Sequence, residues 1–474
     1  MRQNIYMAST RSLFGSLVLV TVLLFSSSFS NFFFADDWFH LKISQINSIN
    51  QFVNFFSFAQ TPQYAGSYRP LSTQFFFWMS QELFDLNPLP YHLLVFAFFV
   101  MNLAILYLLV QKIFSNKKTG LLTIFIYGVS ATNFPRLYFL SAFQEVLLVF
   151  FVLLTSLSYL SESKVKIWPY LFFVLALLSK ETAIVIPGIL FLLDWYRHRL
   201  DLKRLVPFIL IAGVYATLRF GKLGGISGES YIWDFSPKKT ANSLFWYGIW
   251  TLGAPEFLVD YVGSGLRVLP RFFSEFGSWS YIILGLTASS IVGFITLFVT
   301  RAQKNTRRIL LGSGIFIGSL VPVIFLPLHK FTLELGLPLV GFSLACAALL
   351  SRRSKFAYLF LGIYTITNVT TNLLLTKYHY TINQAKLSQK VFSYFKDNYP
   401  TPPVGEYFEF INDTTGPTPQ WGSSKQIAQV TSNSNMFAVL YHNPSYKVYF
   451  ADYPTQKPQN EKEIPISTKM FTEE

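Results

Sequence analysis

Long runs of apolar residues, each with at most one charged side chain, recur along most of the chain. They cover Ser12–Phe34, Tyr91–Gln111, Gly120–Phe134, Tyr138–Leu160, Leu205–Phe220, Tyr281–Phe298, Ile309–Leu328, Leu333–Leu350 and Phe356–Leu375. A helix needs about 20 apolar residues to cross a hydrocarbon core, so most of these runs read as membrane-spanning helices. The stretch Trp168–Leu193 differs, because Ser179-Lys180-Glu181-Thr182 interrupts it. Two charges on one span at mid-bilayer cost about 3 kcal/mol each even on lenient scales. Two half-length helices turning at Lys180-Glu181 are therefore expected, for about ten or eleven crossings in all. Three longer polar segments remain: two loops at about 35–90 and 221–280, and a tail, 376–474. In the tail the pattern predicts a helix over Ile382–Phe395 and strands at Tyr407–Ile411, Met436–Tyr441 and Lys447–Phe450. The last two strands are separated by the turn residues His442-Asn443-Pro444. The expected fold is an all-α polytopic membrane domain, residues 1–375, with a small extracytoplasmic α/β appendage, residues 376–474.

Composition agrees and removes other classes. Of 474 residues 52% are hydrophobic and 13% charged, against about 25% charged in a soluble domain. A soluble enzyme, a disordered scaffold and a secreted disulfide module are excluded; with Cys346 as the one cysteine no intrachain disulfide can form. The net charge of +14 would point to nucleic acid in a soluble protein, but here it lies beside one set of span ends. That set holds Arg2, Arg11, Lys112, Lys117, Lys118, Lys164, Lys166, Arg197, Arg199, Lys203, Arg204, Arg301, Lys304, Arg307, Arg308, Arg352, Arg353 and Lys355. The acids among them are Glu162, Asp194 and Asp201. The positive-inside rule makes that face cytoplasmic. The chain then reads as a multi-pass plasma-membrane protein with its N-terminus cytoplasmic, its C-terminus extracytoplasmic and no nucleic-acid partner. The first span reads as an uncleaved anchor, since its apolar run resumes through Phe32-Phe33-Phe34 after Ser26-Ser27-Ser28.

On the outer face, Asp36 and Asp37 follow the first span directly, with His40 one helical turn on. Carboxylates at that depth tend to have raised pKa values and suit a general base; the alternative is a helix cap, with Asp36 capping a helix that begins at Trp38. Arg69, in Tyr68-Arg69-Pro70-Leu71-Ser72, could clamp a phosphate or a sugar hydroxyl, or anchor the loop at lipid headgroups. Gln144-Glu145, Lys180-Glu181 and His329-Lys330 also face outward. Ionisable residues at membrane depth are functional candidates, with Lys–Glu pairing between helices as the alternative. Gathered near Asp36-Asp37, these groups would form one acid-plus-base site, with Lys180, His329, Lys330, Arg219 and Lys222 available to a lipid-borne phosphate. No P-loop, HExxH, CxxC or GxSxG motif competes.

Taken in order, these pieces resemble the GT-C superfamily of integral-membrane glycosyltransferases, which includes the protein O-mannosyltransferases and the aminoarabinose-lipid A transferases. The resemblance rests on Asp36-Asp37, Tyr68-Arg69-Pro70-Leu71-Ser72, Leu86-Asn87-Pro88 with Tyr91-His92-Leu93, and Leu177-Leu178-Ser179-Lys180-Glu181-Thr182, within Ser12–Leu375. It implies transfer of a sugar, with inversion, from a polyprenyl-phosphate donor to an acceptor hydroxyl on the outer face. The acceptor would be a lipid, a glycan or a protein, and membrane lipids would be the surroundings. Asp36 or Asp37 would deprotonate the acceptor. His40, Arg69, Glu145, Lys180, Glu181, His329 and Lys330 would bind substrate, Lys180 with His329 or Lys330 stabilising the leaving phosphate. No cofactor is required; a divalent metal serves some relatives, and nothing in this sequence demands one.

Two other functions fit parts of the pattern. A polysaccharide polymerase or ligase would use a large outer loop such as 221–280, which holds Arg267 and Arg271 but no His. A secondary transporter would place its substrate at the broken helix.

Overall fold

The computed structural model describes residues 2–64, 66–161, 167–224, 228, 230–351, 354–412, 423–453 and 455–471, with side chains from Ser12 onward except that of Lys304. Of the basic flanks and their acids, Glu162, Lys164, Lys166, Arg352 and Arg353 lie outside the described residues, as do the side chains of Arg2, Arg11 and Lys304.

The first apolar run forms α1 (Arg2–Phe25) and a 3-10 turn to Ser30. Ala35 then turns the chain sharply, at φ 49° and ψ −121°, into α2 (Asp36–Ser44). A positive φ at a non-glycine residue is strained, and such strain concentrates where a side chain must be aimed. The first long loop continues through α3 (Ile49–Asn54) and, after a π turn at Leu71–Phe75, α4 (Phe76–Phe84). The helix α5 (Pro88–Phe114) starts with proline behind the Asn87 cap, whose Oδ1 accepts the Leu89 N–H at 3.2 Å. α6 (Lys117–Val129), the short α7 (Phe134–Tyr138) and α8 (Phe143–Tyr159) follow.

The interrupted run breaks as its charges require. α9 (Trp168–Ser179) ends at Lys180, which is extended (φ −159°, ψ 138°), and a 3-10 turn, Glu181–Val185, leads into α10 (Ile186–Arg197). Beyond α11 (Leu202–Leu223), the second long loop carries α12 (Pro237–Thr251) and α13 (Pro270–Phe276). α14 (Ser278–Ile324) is one long helix kinked at Asn305, followed by α15 (Gly336–Leu350), α16 (Lys355–Tyr378) and α17 (Tyr380–Asn398).

Eight helices among the described residues are long and apolar enough to cross a membrane. Each of them coincides with a run expected to span. The remaining expected crossings correspond to shorter pieces. α6 has 13 residues, about 20 Å at 1.5 Å per residue, and the broken helix contributes two arms of 12 residues each.

α15 is apolar all round and every one of its 15 residues is buried, as expected of a helix enclosed by others. It packs against α14, α6 and α8. Its approach to α14 is backbone-close: a Cβ added to Gly312 would stand 2.6 Å from both Ala345 N and Gly341 O. Small residues at such crossings replace the hydrophobic drive that lipid cannot supply. Outward-facing positions keep large apolar side chains, among them Ile209, Leu210 and Val214 on α11 and Val292, Ile295 and Val299 on α14.

The two ends of the bundle differ in charge. At one end Arg308 lies 5.1 Å over Phe114, Arg204 lies 4.5 Å over Tyr159, and Arg307 lies 5.1 Å over Trp195. The ends of α5, α8 and α10 thus meet the start of α11 and the α14 kink in one basic cluster. At the other end of these helices stand α2, the 180–181 break and the turn before α15.

After α17 come β1 (Glu406–Ile411), α18 (Ser424–Val430), α19 (Asn435–Leu440), β2 (Tyr449–Phe450) and β3 (Lys462–Ser467), in a parallel sheet ordered β2-β1-β3. The strand expected at Met436–Tyr441 is a helix, α19. Met436, Phe437, Ala438 and Val439 are all buried, and a short run apolar on every side has no period that separates strand from helix. The strand β3 is hidden in the sequence pattern because Pro465 interrupts it; it pairs only with β1, on the edge that proline tolerates. This region docks on α2. The Ala35 N–H donates to Val430 O at 2.8 Å, and the Trp38 indole N–H donates to Ser388 Oγ at 2.9 Å while stacking on Phe392.

Candidate functional site

The two adjacent aspartates have separate fates. Asp37 is fully buried and takes three hydrogen bonds: from Ser141 Oγ (2.6 Å), Ser141 N–H (2.8 Å) and Phe34 N–H (3.2 Å). It ties the start of α2 to the turn before α8. Asp36 is open to a cavity of about 500 Å³, and no hydrogen bond or ion pair engages its carboxylate among the described residues. Nor does it cap. The helix begins at Asp36 itself, and its N-cap is Ala35. Burial raises the Asp36 pKa above the ordinary aspartate value, opposed by the charge of Arg69. Burial pushes Asp37 up to about 7 against its three hydrogen bonds, with the charge of Asp36 adding to the rise.

His40 lines the same cavity, and its Nδ1 pairs with Ser141 Oγ at 3.1 Å. Ser141 Oγ donates its one proton to Asp37, so it accepts from Nδ1–H of His40. Burial and the nearby Arg69 hold the imidazole down to about 3, so it is neutral at physiological pH.

Arg69 enters the cavity from the first long loop. Its Nε donates to Glu181 Oε2 at 2.7 Å, Nη2 pairs with Glu181 Oε1, and Nη1 donates to Gln144 Oε1. This is the planar fork geometry that arginine offers a carboxylate. Ser72 Oγ donates to Ser179 O at 2.5 Å, fixing the same loop to the end of α9. The Arg-Pro-Leu-Ser and Ser-Lys-Glu-Thr strings are therefore two halves of one contact.

Lys180 turns the other way. Its Nζ ion-pairs with Glu145 Oε1 and, at 2.8 Å, with Glu334 Oε2, and all three side chains are buried. His329 Nε2 lies 3.5 Å from Glu334 Oε1, and its ring packs on Tyr231 at 4.4 Å. Lys330 stands apart, donating to Asn242 Oδ1 at 2.7 Å and lining no part of the cavity. Thus Asp36, His40, Arg69 and His329 share the cavity, Glu181 holds Arg69 in place, and Lys180 with Glu145 forms a closed internal ion pair. Lys180, expected to meet a phosphate, already has two carboxylates.

Several participants are not apparent in the sequence. Glu334, Ser141, Tyr231 and Arg136 all belong to the site or its support. Arg136 is 1% exposed and donates to Thr332 O, Leu333 O and Asn133 Oδ1 at 3.2, 3.3 and 2.5 Å. Glu334 does carry a signal, a lone acid at the mouth of an apolar span. Arg136 looks like an ordinary turn residue after Pro135.

A second cavity, about 180 Å³, adjoins the first and shares Arg69, Tyr231, His329 and Glu334 with it. Its remaining lining is largely apolar, including Ile184, Phe220, Trp233, Val323 and Leu326, with Lys180 and Glu181, each already ion-paired, also in its wall, and Phe220 and Trp233 are exposed at its rim. Arg219 sits in its wall, 1% exposed. That guanidinium donates only to backbone, to Gly224 O at 2.5 Å and Gly66 O at 3.4 Å, and its Nε has no partner. Among the described residues no carboxylate pairs with it. A buried, uncompensated guanidinium is a ready anion site. No group of three or more His, Cys, Asp or Glu suited to a metal occurs among the described residues.

The fold and the apolar helices define a helical polytopic membrane protein. No protein-family model matches the chain, and no curated protein does.

Proposed function

We propose that this protein is a membrane glycosyltransferase of the GT-C kind. In this reading a sugar passes from a polyprenyl-phosphate donor to an acceptor hydroxyl on the extracytoplasmic face, with Asp36 as general base. The 376–474 region stands on that same face. One observation carries the reading: a polar chamber holding Asp36 joins an apolar groove holding Arg219, and neither has an ion-pair partner among the described residues. Those are the two environments a lipid-linked phosphosugar and a hydroxyl acceptor require.

In the reaction Asp36 takes the proton of the acceptor hydroxyl as its oxygen attacks the anomeric carbon. The bond from that carbon to the phosphate oxygen breaks, and the electron pair leaves with the phosphate. The donor's phosphodiester carries one negative charge and the departing polyprenyl phosphate two. Catalysis therefore needs positive charge at the junction more than a proton donor. Arg219 is the group free to meet it, with Arg69 and His329 in the shared wall. Attack from the chamber side, opposite the groove, inverts the anomeric centre. Neutral His40, with its proton on Nδ1, can accept a hydrogen bond from a sugar hydroxyl at Nε2 without changing the charge beside Asp36.

The test is sugar transfer in membranes from cells expressing the wild type, Asp36→Asn or Asp37→Asn, with labelled polyprenyl-phosphate sugars and a membrane extract as acceptor. Loss of a general base should slow transfer about 10²–10⁴-fold in Asp36→Asn, with the protein still inserted and monodisperse. Transfer at the wild-type rate by Asp36→Asn would remove the base from this reading. If the wild type transfers no sugar but carries a solute into proteoliposomes, the broken helix belongs to a transporter instead.

A further inference from the structure

Outside the site, a concavity of about 930 Å³ lies between α2 and the sheet region. That is within the range of about 300–1,000 Å³ typical of ligand sites. Its lining has an unusual chemistry. Tyr446, Tyr449 and Tyr453 supply aromatic faces, while Asn433, Asn435, Gln456 and Gln459 supply amides that both donate and accept. Ser432, Ser434, Ser445 and Thr455 add hydroxyls. Three lysines reach it. Lys457 is neutralised by Glu409 and Glu463. Lys42 and Lys447 have no carboxylate partner among the described residues, and Lys42 Nζ donates to Asn435 Oδ1 at 3.1 Å.

We infer that this groove binds an extended acidic oligosaccharide. A sugar ring presents a C–H face that packs on an aromatic ring and a rim of hydroxyls that both donate and accept. Paired tyrosines and amides match those two features together. The two uncompensated lysines select chains bearing carboxylate or phosphate. The volume and open shape suit several sugar units rather than one. The groove is joined to the chamber through a single element: Asp36 stands in the first turn of α2 and Lys42 in the last, about 9 Å apart along the axis at 1.5 Å per residue. A glycan held there lies at the other end of α2 from Asp36, so the inference rests on the transferase reading only for its purpose and not for its binding.

The test is binding of three probes to the full chain in detergent micelles, by calorimetry: a galacturonic acid hexamer, maltohexaose and hexaglutamate. The uronate hexamer should bind most tightly, and Tyr453→Ala with Gln456→Ala should weaken it about tenfold or more, close to 1.4 kcal/mol. Both positions are solvent-exposed, so the fold should tolerate the change. Asp36→Asn should bind the hexamer like the wild type, which separates failure of this groove from failure of the base. The inference is overturned if neither hexasaccharide binds. It is equally overturned if the groove variant binds like the wild type, or if hexaglutamate binds as well as the uronate, which would leave charge alone.

Discussion

Ser141 places its hydroxyl between Asp37, to which it donates at 2.6 Å, and His40 Nδ1, at 3.1 Å. One serine at the head of α8 therefore fixes both the carboxylate that faces inward and the imidazole that faces the chamber, leaving Asp36 alone free. Ser141→Ala removes a hydrogen bond to a buried carboxylate, worth about 1.5–3 kcal/mol. Thermal unfolding in detergent should show a lower Tm, with transfer reduced far less than in Asp36→Asn. An unchanged Tm would show that the serine carries no such bond.

The two aspartates set opposite edges of a pH window. As the proposed general base Asp36 would have to be ionised, and burial raises its pKa, so transfer should fall with acid at a pH above the ordinary aspartate value of about 3.9. Asp37 has its folded pKa raised to about 7 from 3.8. Its contribution to stability is thus full below about pH 4 and is lost as pH rises through about 7, at about 1.4 kcal/mol per pH unit between those limits. Asp37→Asn should flatten the dependence of Tm on pH between 4 and 7, checked by comparing unfolding curves, while the transfer rate of the wild type against pH locates the acid limb.

Lys180 is expected to be structural. Lys180→Met leaves Glu145 and Glu334 buried without their cation, and breaking such a pair costs about 3–5 kcal/mol. The variant should accumulate poorly and unfold early, and Lys180→Met combined with Glu145→Leu should regain part of the loss. A Lys180→Met protein with the wild-type Tm but a raised donor KM would instead make it a phosphate ligand.

Arg219 should behave in the reverse manner. Arg219→Met is expected to raise the donor KM and lower kcat while shifting Tm little, because among the described residues its hydrogen bonds go to Gly224 O and Gly66 O alone. Arg219→Lys should restore part of the rate by keeping the charge. A falling Tm with unchanged kinetics would assign the arginine to loop bracing.

Sidedness can be read by thiol labelling, since Cys346 is buried and should be inert to aqueous reagents. Ser445→Cys and Lys117→Cys both lie at exposed positions. An impermeant maleimide on intact cells should label the first and reach the second only after permeabilisation. The converse pattern would invert the orientation.

The spans are legible in the sequence because lipid demands long apolar runs, and the break at Lys180-Glu181 because charge at that depth is expensive. Asp36 and Arg69 stand out for the same reason. The partnerships are not legible. Lys180 meets Glu334 from 154 positions away, and nothing local in either segment encodes the meeting. His329 and Lys330 look equivalent as neighbours, yet one packs on Tyr231 and the other turns to Asn242. Adjacent residues outside a helix point in different directions, which a one-dimensional reading merges. Met436–Tyr441 misleads for a further reason: complete burial erases the alternation from which a strand is recognised.

The wall shared by the two cavities has a consequence in time. Arg69, Tyr231, His329 and Glu334 face both, so neither chamber owns its side of the junction. Whatever settles against Tyr231 from the groove changes the room available beyond it. In the proposed transferase, occupancy on the two sides would then be correlated, and transfer would proceed only while both visitors are present.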